Sequence, residues 1–151
     1  MKASHNPSQN PNPGQLVLSF FDKVWHPPHD LDAIDHLMTE DYTITTAGKT
    51  IHGRKAFKEW VRVFQQQLLE AQTQNLSLFC NEDSSMVVSR WVCSGKNNGL
   101  FGLKADLSEI SFTGIAIWAI RDGRFSACWV ERSAHELYQQ LTGSQEGSAF
   151  V

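Results

Sequence analysis

Three polar side chains could move or stabilise charge in an apolar setting: Glu131, Arg90 and His52. Glu131 follows Trp129 by two residues, where an apolar stretch meets a cation. A carboxylate in an apolar pocket has a raised pKa because burial disfavours its charged form, so it can exchange a proton near neutrality. We therefore predict that Glu131 is a general acid–base residue. The alternative is that Glu131 pairs with Arg132 at the surface.

Arg90 and His52 are predicted to assist Glu131. Arg90 lies within the apolar stretch MVVSRWVCSG, and a buried cation is unfavourable unless it is paired. It could orient Glu131 or a substrate carbonyl, or it could face outward at a dimer interface. His52 precedes a glycine just before a predicted helix, where it could act as an acid–base partner at a pocket rim. The alternative for His52 is an exposed loop residue.

A second set of residues is predicted to hold a hydrophobic substrate through hydroxyl groups or aromatic rings. Each of them could equally be an ordinary strand or core residue. The set is Tyr42, Thr45, Trp60, Phe64, Trp118 and Trp129.

These residues need elements to position them, and the spacing of apolar residues predicts an α+β domain. A helical period covers residues 16–25, 31–38 and 55–69, and an extended segment covers residues 41–53. Four strands follow from residue 72, the last two joined by an Asp-Gly turn. Ser133 and Glu136 are spaced as a capping box for a final helix. Helices followed by consecutive antiparallel strands are typical of the α+β class.

Strand alternation predicts which side chains share a face. In the last strand Phe125, Ala127, Trp129 and Glu131 are expected on one face. The small residues Gly114, Ala116 and Ala127 lie among large rings, which predicts either a hollow beside the sheet or a dense aromatic core.

Charge and cysteine usage exclude several classes of protein. The net charge is −3, from 13 basic and 16 acidic residues without a basic cluster, so we expect no nucleic-acid partner. No apolar run is long enough for a membrane span. Three widely spaced cysteines predict reduced thiols in the cytoplasm, and the histidine spacing matches no metal signature.

We expect a disordered leader at residues 1–14, one domain at residues 15–142 and a flexible tail at residues 143–151.

Several motifs, in order along the chain, resemble the SnoaL-like polyketide cyclase family of the NTF2-like superfamily. HGRKAFKEWV is similar to the family's Gly-Arg-x-x-Phe helix start. VVSRWVCSGKNNG is similar to its Arg-Trp-x-x-x-Gly strand and loop. ISFTGIAIWAIRDGR is similar to its Asp-Gly hairpin, and a Trp strand with a Leu-x-x-Gln-Leu helix follows. The chain departs from the family at Ser133, where an Asp is frequent, and at Val92, where related epoxide hydrolases carry a carboxylate.

The resemblance implies a cone-shaped NTF2-like α+β barrel, with a curved antiparallel sheet wrapped around helices and an apolar pocket. It also implies a homodimer. The expected activity is a cofactor-independent cyclase or isomerase that uses acid–base chemistry on a small hydrophobic carbonyl-bearing metabolite, of polyketide or terpenoid type. The alternatives are a non-catalytic module for hydrophobic ligand binding or assembly, and an epoxide hydrolase.

Overall fold

The computed structural model describes residues 12–143. Its helices are α1 (Pro13–Val24), α2 (Ile34–Leu37), α3 (Arg54–Gln67) and α4 (Ala134–Thr142), with 3₁₀ turns at Leu31–Ala33 and Leu100–Gly102. Its strands are β1 (Met38–Thr46), β2 (Lys49–His52), β3 (Leu68–Cys80), β4 (Met86–Asn97), β5 (Glu109–Arg121) and β6 (Arg124–Arg132). Most of the predicted leader and tail, residues 1–11 and 144–151, lies outside the described residues.

The strands form one curved, open sheet in the order β2-β1-β6-β5-β4-β3, with α1 and α3 packed on its inner face. Neighbouring strands are antiparallel except β1 and β6, which run parallel. Phe20 of α1 meets Trp118 and Phe125, and Phe64 of α3 meets Phe112. The predicted α+β class, with a curved sheet wrapped around helices, is confirmed. None of the described helices is long and apolar enough to cross a membrane.

Helix α1 begins and packs as its sequence requires. The Asn12 side chain accepts a hydrogen bond from the Gln15 backbone N–H at 2.9 Å, and Pro13 occupies the first turn, where its missing N–H does no harm. The apolar stripe of α1 is buried, including Val17 and Val24, which have no exposed surface. Burial of each such side chain contributes roughly 1.5–3 kcal/mol of stability.

The next two predicted helices are shorter than their apolar spacing indicates. Residues 31–38 form a 3₁₀ turn and the four-residue α2, and Met38 already begins β1. Helix α3 ends at Gln67 because Leu68 pairs with Asn97 of β4 and is fully buried. Sheet pairing therefore overrides the helical period at Met38, where β1 begins, and at Leu68, where β3 begins.

The predicted capping box at α4 is wrong. Ser133 makes no side-chain hydrogen bond to the helix N-terminus. Its Oγ instead accepts a hydrogen bond from the Thr113 backbone N–H of β5 at 2.9 Å. Ser133 thus fastens the end of β6 to β5, and α4 docks through Leu137.

The face prediction for the last strand is wrong for most of β6. In β5 the alternation is regular, and Ile110, Phe112, Ala116 and Trp118 are buried on the inner face. In β6 the register changes because Ala119 faces Ala127 while Ile120 faces Phe125, which leaves one extra residue in β6. This β-bulge at residue 126 reverses the alternation, so the inner face after Phe125 carries residues 128, 130 and 132 rather than 127, 129 and 131.

Candidate active site

An apolar cavity lies between the inner face of the sheet and helices α1 and α3. Its volume is about 60 Å³. Pockets that enclose drug-sized ligands measure roughly 300–1,000 Å³, so a larger ligand requires the aromatic walls to move. The lining side chains are mostly aromatic, and those used below are Tyr42, Trp60, Phe64, Trp91, Cys93, Trp118, Cys128 and Arg132.

The cavity is narrow because large rings fill most of the predicted hollow. The Trp91 indole ring lies directly over Gly114 on the neighbouring strand, where any Cβ atom would overlap it. Ala116 still lines the cavity. Trp60 stacks on Phe64 with ring centroids 5.3 Å apart, and both side chains are half-buried. Trp25, which contacts Phe64, is also partly buried, so the least buried part of the aromatic wall lies around these three rings.

The inner wall carries two buried polar groups without partners. Within residues 12–143, Tyr42 Oη and Trp118 Nε1 make no hydrogen bond. Cys128 and Trp118 are near enough to influence the pKa of Tyr42, yet neither reaches bonding geometry. Burial is the main cause that holds this pKa well above its usual value near 10. Tyr42 therefore keeps its proton at neutral pH and can donate a hydrogen bond.

Two buried thiols line the same cavity. Burial raises the pKa of Cys93 to about 11 and the pKa of Cys128 to about 12. Both thiols are therefore protonated at neutral pH, so neither is a base or a ready nucleophile. The third cysteine, Cys80, is exposed, and all three are free.

Arg132 brings a positive charge to the cavity. Its guanidinium carbon lies 5.0 Å from the centroid of the Trp60 ring, within the range of a cation–π interaction. Nη1 donates a long hydrogen bond of 3.4 Å to Thr46 Oγ1. Burial lowers the pKa of Arg132, and its charge acts in turn on Tyr42, Cys93 and Cys128. The cation therefore shares one apolar environment with the polar groups of the inner wall.

Of the residues predicted to bind substrate, Tyr42, Trp60, Phe64 and Trp118 line the cavity. The other two do not. The Thr45 hydroxyl lies 2.9 Å from the Thr50 hydroxyl across the β1–β2 hairpin. Trp129 is 45% exposed on the outer face, as a consequence of the bulge in β6.

None of the three predicted catalytic residues lines the cavity. Glu131 is exposed, and its carboxylate accepts a long hydrogen bond of 3.4 Å from the Ala47 backbone N–H. Arg90 is exposed on the outer face, where its Nε donates to Ser77 Oγ at 3.2 Å. His52 is exposed at the end of β2. Their catalytic roles remain predictions, and the bulge explains why Arg132 rather than Glu131 faces inward.

Glu131 and Arg90 do share a second, outer pocket. It has a volume of about 330 Å³ and also includes Ile115 and Ser133. Arg132 lines both this pocket and the inner cavity. One signal in the sequence indicates the inner face of β6: Cys128 and Val130 suit a buried face better than Glu131 does.

The described wall of the cavity contains no Asp, Glu or His. An epoxide hydrolase mechanism needs a carboxylate beside the attacking water, and Asp41 and Glu59 are poor candidates because they are exposed and pair with Arg121 and Arg62. Over residues 12–143 no group of three or more His, Cys, Asp or Glu side chains could hold a metal ion. The cavity can therefore donate hydrogen bonds and supply positive charge, but it has no general base of its own.

Comparison with known proteins confirms the expected NTF2-like fold. Residues 17–128 match the SnoaL-like domain family. No curated protein sequence matches the chain significantly. A crystal structure of a candidate polyketide cyclase from Acidithiobacillus ferrooxidans superposes with a TM-score of 0.76 at 18% identity, covering 86% of this chain and 94% of that one.

Two further structures are similar. The candidate polyketide cyclase IdmH from Streptomyces antibioticus gives a TM-score of 0.75 at 16% identity, over 86% of this chain and 98% of that one. An LEH-like epoxide hydrolase from M. tuberculosis gives a TM-score of 0.67 at 14% identity. The match covers 85% of this chain and 84% of that one. Similarity at these identities establishes the fold and leaves the reaction to be argued from the cavity.

Proposed function

The chain belongs to the SnoaL-like domain family, and we propose that it cyclises or isomerises a small hydrophobic carbonyl compound without a cofactor. The observation that carries this proposal is the pair of unpartnered donors in an apolar cavity, Tyr42 Oη and Trp118 Nε1. A buried polar group without a partner lowers stability by about 1–3 kcal/mol, and a ligand oxygen would remove that penalty. A substrate carbonyl has the required chemistry and suits the surrounding rings.

The proposed catalysis is electrostatic. When a carbonyl compound loses a proton from the carbon next to the carbonyl, negative charge develops on the oxygen. Donors that are already aimed at that oxygen in an apolar site stabilise the charge, and each typically contributes a factor of about 10²–10³ in rate. Tyr42 suits this role because its raised pKa keeps it protonated. The positive charge of Arg132 acts in the same direction.

The reaction balances without an oxidant or a co-substrate. Water takes the α-proton, and the resulting enolate attacks a second carbonyl carbon of the same molecule, which forms one carbon–carbon bond. The alkoxide oxygen then takes the proton back from the hydronium ion, which regenerates the water. If no second carbonyl is in reach and a carbon–carbon double bond is conjugated with the enolate, the proton returns to the far end of that conjugated system and the outcome is isomerisation.

A second function is favoured by a specific observation. Because the described cavity wall carries no Asp, Glu or His, the protein could bind an apolar carbonyl compound without converting it. A binding protein of this kind would have the same affinity for the carbonyl compound as the enzyme, and Tyr42→Phe would weaken that binding to the same extent. It differs in predicting no acceleration of proton exchange.

Proton exchange separates the two functions without knowledge of the natural substrate. The assay follows deuterium entry from D₂O at the α-carbon of a small flat ketone, 1-indanone, by NMR. We expect the protein to accelerate exchange, and Tyr42→Phe to remove about 10²-fold of the acceleration. Tyr138→Phe is the matched control, because Tyr138 is 43% exposed and does not line the cavity.

Each outcome of this assay has a clear meaning. Binding of 1-indanone without faster exchange would select the non-catalytic function. Exchange that survives Tyr42→Phe would refute the role of the hydroxyl. Glu131→Gln in the same assay tests the prediction from sequence: a large loss would restore Glu131 as the base, although it lies outside the inner cavity.

We also propose that the protein is a homodimer through the outer face of the sheet. Ile115 is 52% exposed, Ile117 is 37% exposed and Trp129 is 45% exposed on the neighbouring strands β5 and β6. Ile117 pairs with Trp129 across these strands, so the apolar surface is continuous. A contiguous apolar patch of this kind is typical of an interface. A second copy of the chain fits best, because the resemblance implies a homodimer.

A further inference from the structure

Arg132 is a cation whose hydrogen-bonding capacity is mostly unused. A guanidinium group has five N–H donors. Within the described part of the chain, this group makes one hydrogen bond, the long one to Thr46. Among residues 12–143 no carboxylate forms an ion pair with it. Within the described residues most of its donors therefore have no protein acceptor and remain available to water or to a ligand.

The neighbouring carboxylate does not fill this role. Glu131 and Arg132 are consecutive in β6, and consecutive side chains of a strand point to opposite faces. Glu131 is directed to the outer face, with its carboxylate near Ala47, whereas Arg132 lies over Trp60 of α3. Burial lowers the pKa of Arg132, and the charge of Glu131 opposes this shift, but the two side chains form no ion pair among the described residues.

A partly buried cation without a carboxylate is unfavourable unless a ligand supplies the negative charge. Arg also binds a carboxylate with two parallel hydrogen bonds, a geometry that a carbonyl alone cannot match. We propose that the ligand of the cavity is an oxo-carboxylic acid whose carboxylate pairs with Arg132. The inference rests on the proposed function, because it places the acid's ketone at Tyr42 and Trp118.

The length of β6 limits the shape of this acid. Cys128, beside Tyr42, and Arg132 are four residues apart, or roughly 13 Å along the strand. The Arg132 side chain covers part of that span. The stacked rings of Trp60 and Phe64 flank the path between the two polar ends, so the body of the acid is flat and apolar.

The test compares an acid with its neutral twin. The probes are 4-acetylbenzoate and methyl 4-acetylbenzoate, which share a flat ring and a methyl ketone and differ in charge. Binding is measured by calorimetry and by tryptophan fluorescence. We expect the acid to bind about tenfold more tightly than the ester, or better, because a charge-assisted pair outweighs a neutral contact.

Variants then assign that preference to Arg132. Arg132→Gln is expected to remove the preference for the acid, and Arg132→Lys is expected to retain part of it. Arg124→Gln is the matched control, since Arg124 is exposed at the start of the same strand and does not line the cavity. Circular dichroism and thermal melting check that each variant folds, and Arg132→Lys keeps the test valid if Arg132→Gln does not fold.

The outcomes separate this inference from the proposed function. Equal binding of acid and ester, or a preference that survives Arg132→Gln, overturns the carboxylate pairing. The proposed function still stands in that case if Tyr42→Phe weakens binding of both probes. Failure of both probes to bind overturns the carboxylate inference, while exchange of 1-indanone independently decides the proposed function. The pairing is supported if Arg132→Gln loses the preference for the acid while Arg124→Gln keeps it.

Discussion

The Tyr42 hydroxyl lies in a place where a phenylalanine would serve the fold at least as well. The side chain has no exposed surface, its ring packs at 5.0 Å against Phe57, and its hydroxyl has no partner among the described residues. The ring explains the packing, and the hydroxyl adds an unfavourable term. Residues that lower stability in this manner are expected where function requires them.

Tyr42→Phe should therefore leave the protein as stable or more stable, by up to about 1 kcal/mol, because it removes an unsatisfied polar atom and keeps the ring. Urea unfolding followed by circular dichroism measures the change. A loss of more than about 1 kcal/mol would mean that the hydroxyl has a partner in the native protein. Tyr138→Phe again provides the comparison at an exposed site.

The two buried thiols predict how stability depends on pH. The unfolded chain loses these protons near pH 9, whereas the folded chain holds them up to about pH 11 at Cys93 and about pH 12 at Cys128. The unfolded state thus binds fewer protons within this window. The free energy of unfolding should then fall as pH rises above 9, by at most about 1.4 kcal/mol per pH unit for each thiol.

Urea unfolding between pH 7 and pH 10.5 measures this slope. Cys93→Ala and Cys128→Ala should each make it shallower, whatever they do to stability at pH 7. Cys80→Ala is the control, because Cys80 is exposed. A slope that is unchanged in both buried variants would contradict the prediction.

At the scale of elements, the succession of helices and strands along the chain could be predicted from apolar spacing, but the strand order in the sheet and the face of β6 could not. A strand period of two assigns faces correctly only while the pairing stays regular. The extra residue at position 126 has no Gly or Pro to mark it, and Ser126 instead donates from Oγ to the Ala119 carbonyl at 3.2 Å. The inner position of Arg132 therefore depends on tertiary pairing.

Tertiary pairing also decides where the helices end, so apolar spacing alone could not predict their boundaries. Leu68 continues the apolar period of α3, yet its side chain is buried within the sheet as part of β3. Tyr42, Trp60, Phe64 and Trp118 could be placed at the cavity because their segments stay regular between turns. Residues of β6 after the bulge, and Leu68 where α3 passes into β3, could not be placed in this way.

The contact between β4 and β5 leads to a prediction about Gly114. A methyl group at this position would overlap the indole of Trp91, which is only 7% exposed and has little room to move. Gly114→Ala should lower the free energy of unfolding by about 1–3 kcal/mol, the usual range for overpacking. Urea unfolding checks the value.

A double-mutant cycle isolates the cause. Combined with Trp91→Phe, which has a smaller ring, Gly114→Ala should be less destabilising than it is alone. Additive effects would show that the glycine is required for a reason other than the indole.

At the scale of the whole molecule, the dimer proposal predicts a mass near twice the 17.0 kDa of the chain. Light scattering at micromolar concentration measures it. Ile117→Lys should give a monomer, because it places a charge at the centre of the apolar outer face. Leu18→Lys is the control, since Leu18 is 48% exposed on α1, away from the sheet. A wild-type monomer would contradict the proposal.

The parallel pairing of β1 with β6 has a kinetic consequence. Thr43 pairs with Ala127, so the β1–β2 hairpin joins the remaining strands only by closing a loop of more than 80 residues. Loop-closure entropy for such a length is about 4 kcal/mol, and contacts of this range form late in folding. The cavity spans this joint, with Tyr42 on one side and Cys128 and Arg132 on the other. A bound ligand would thus bridge the last seam to close, and it would act by slowing unfolding while leaving the rate of folding nearly unchanged.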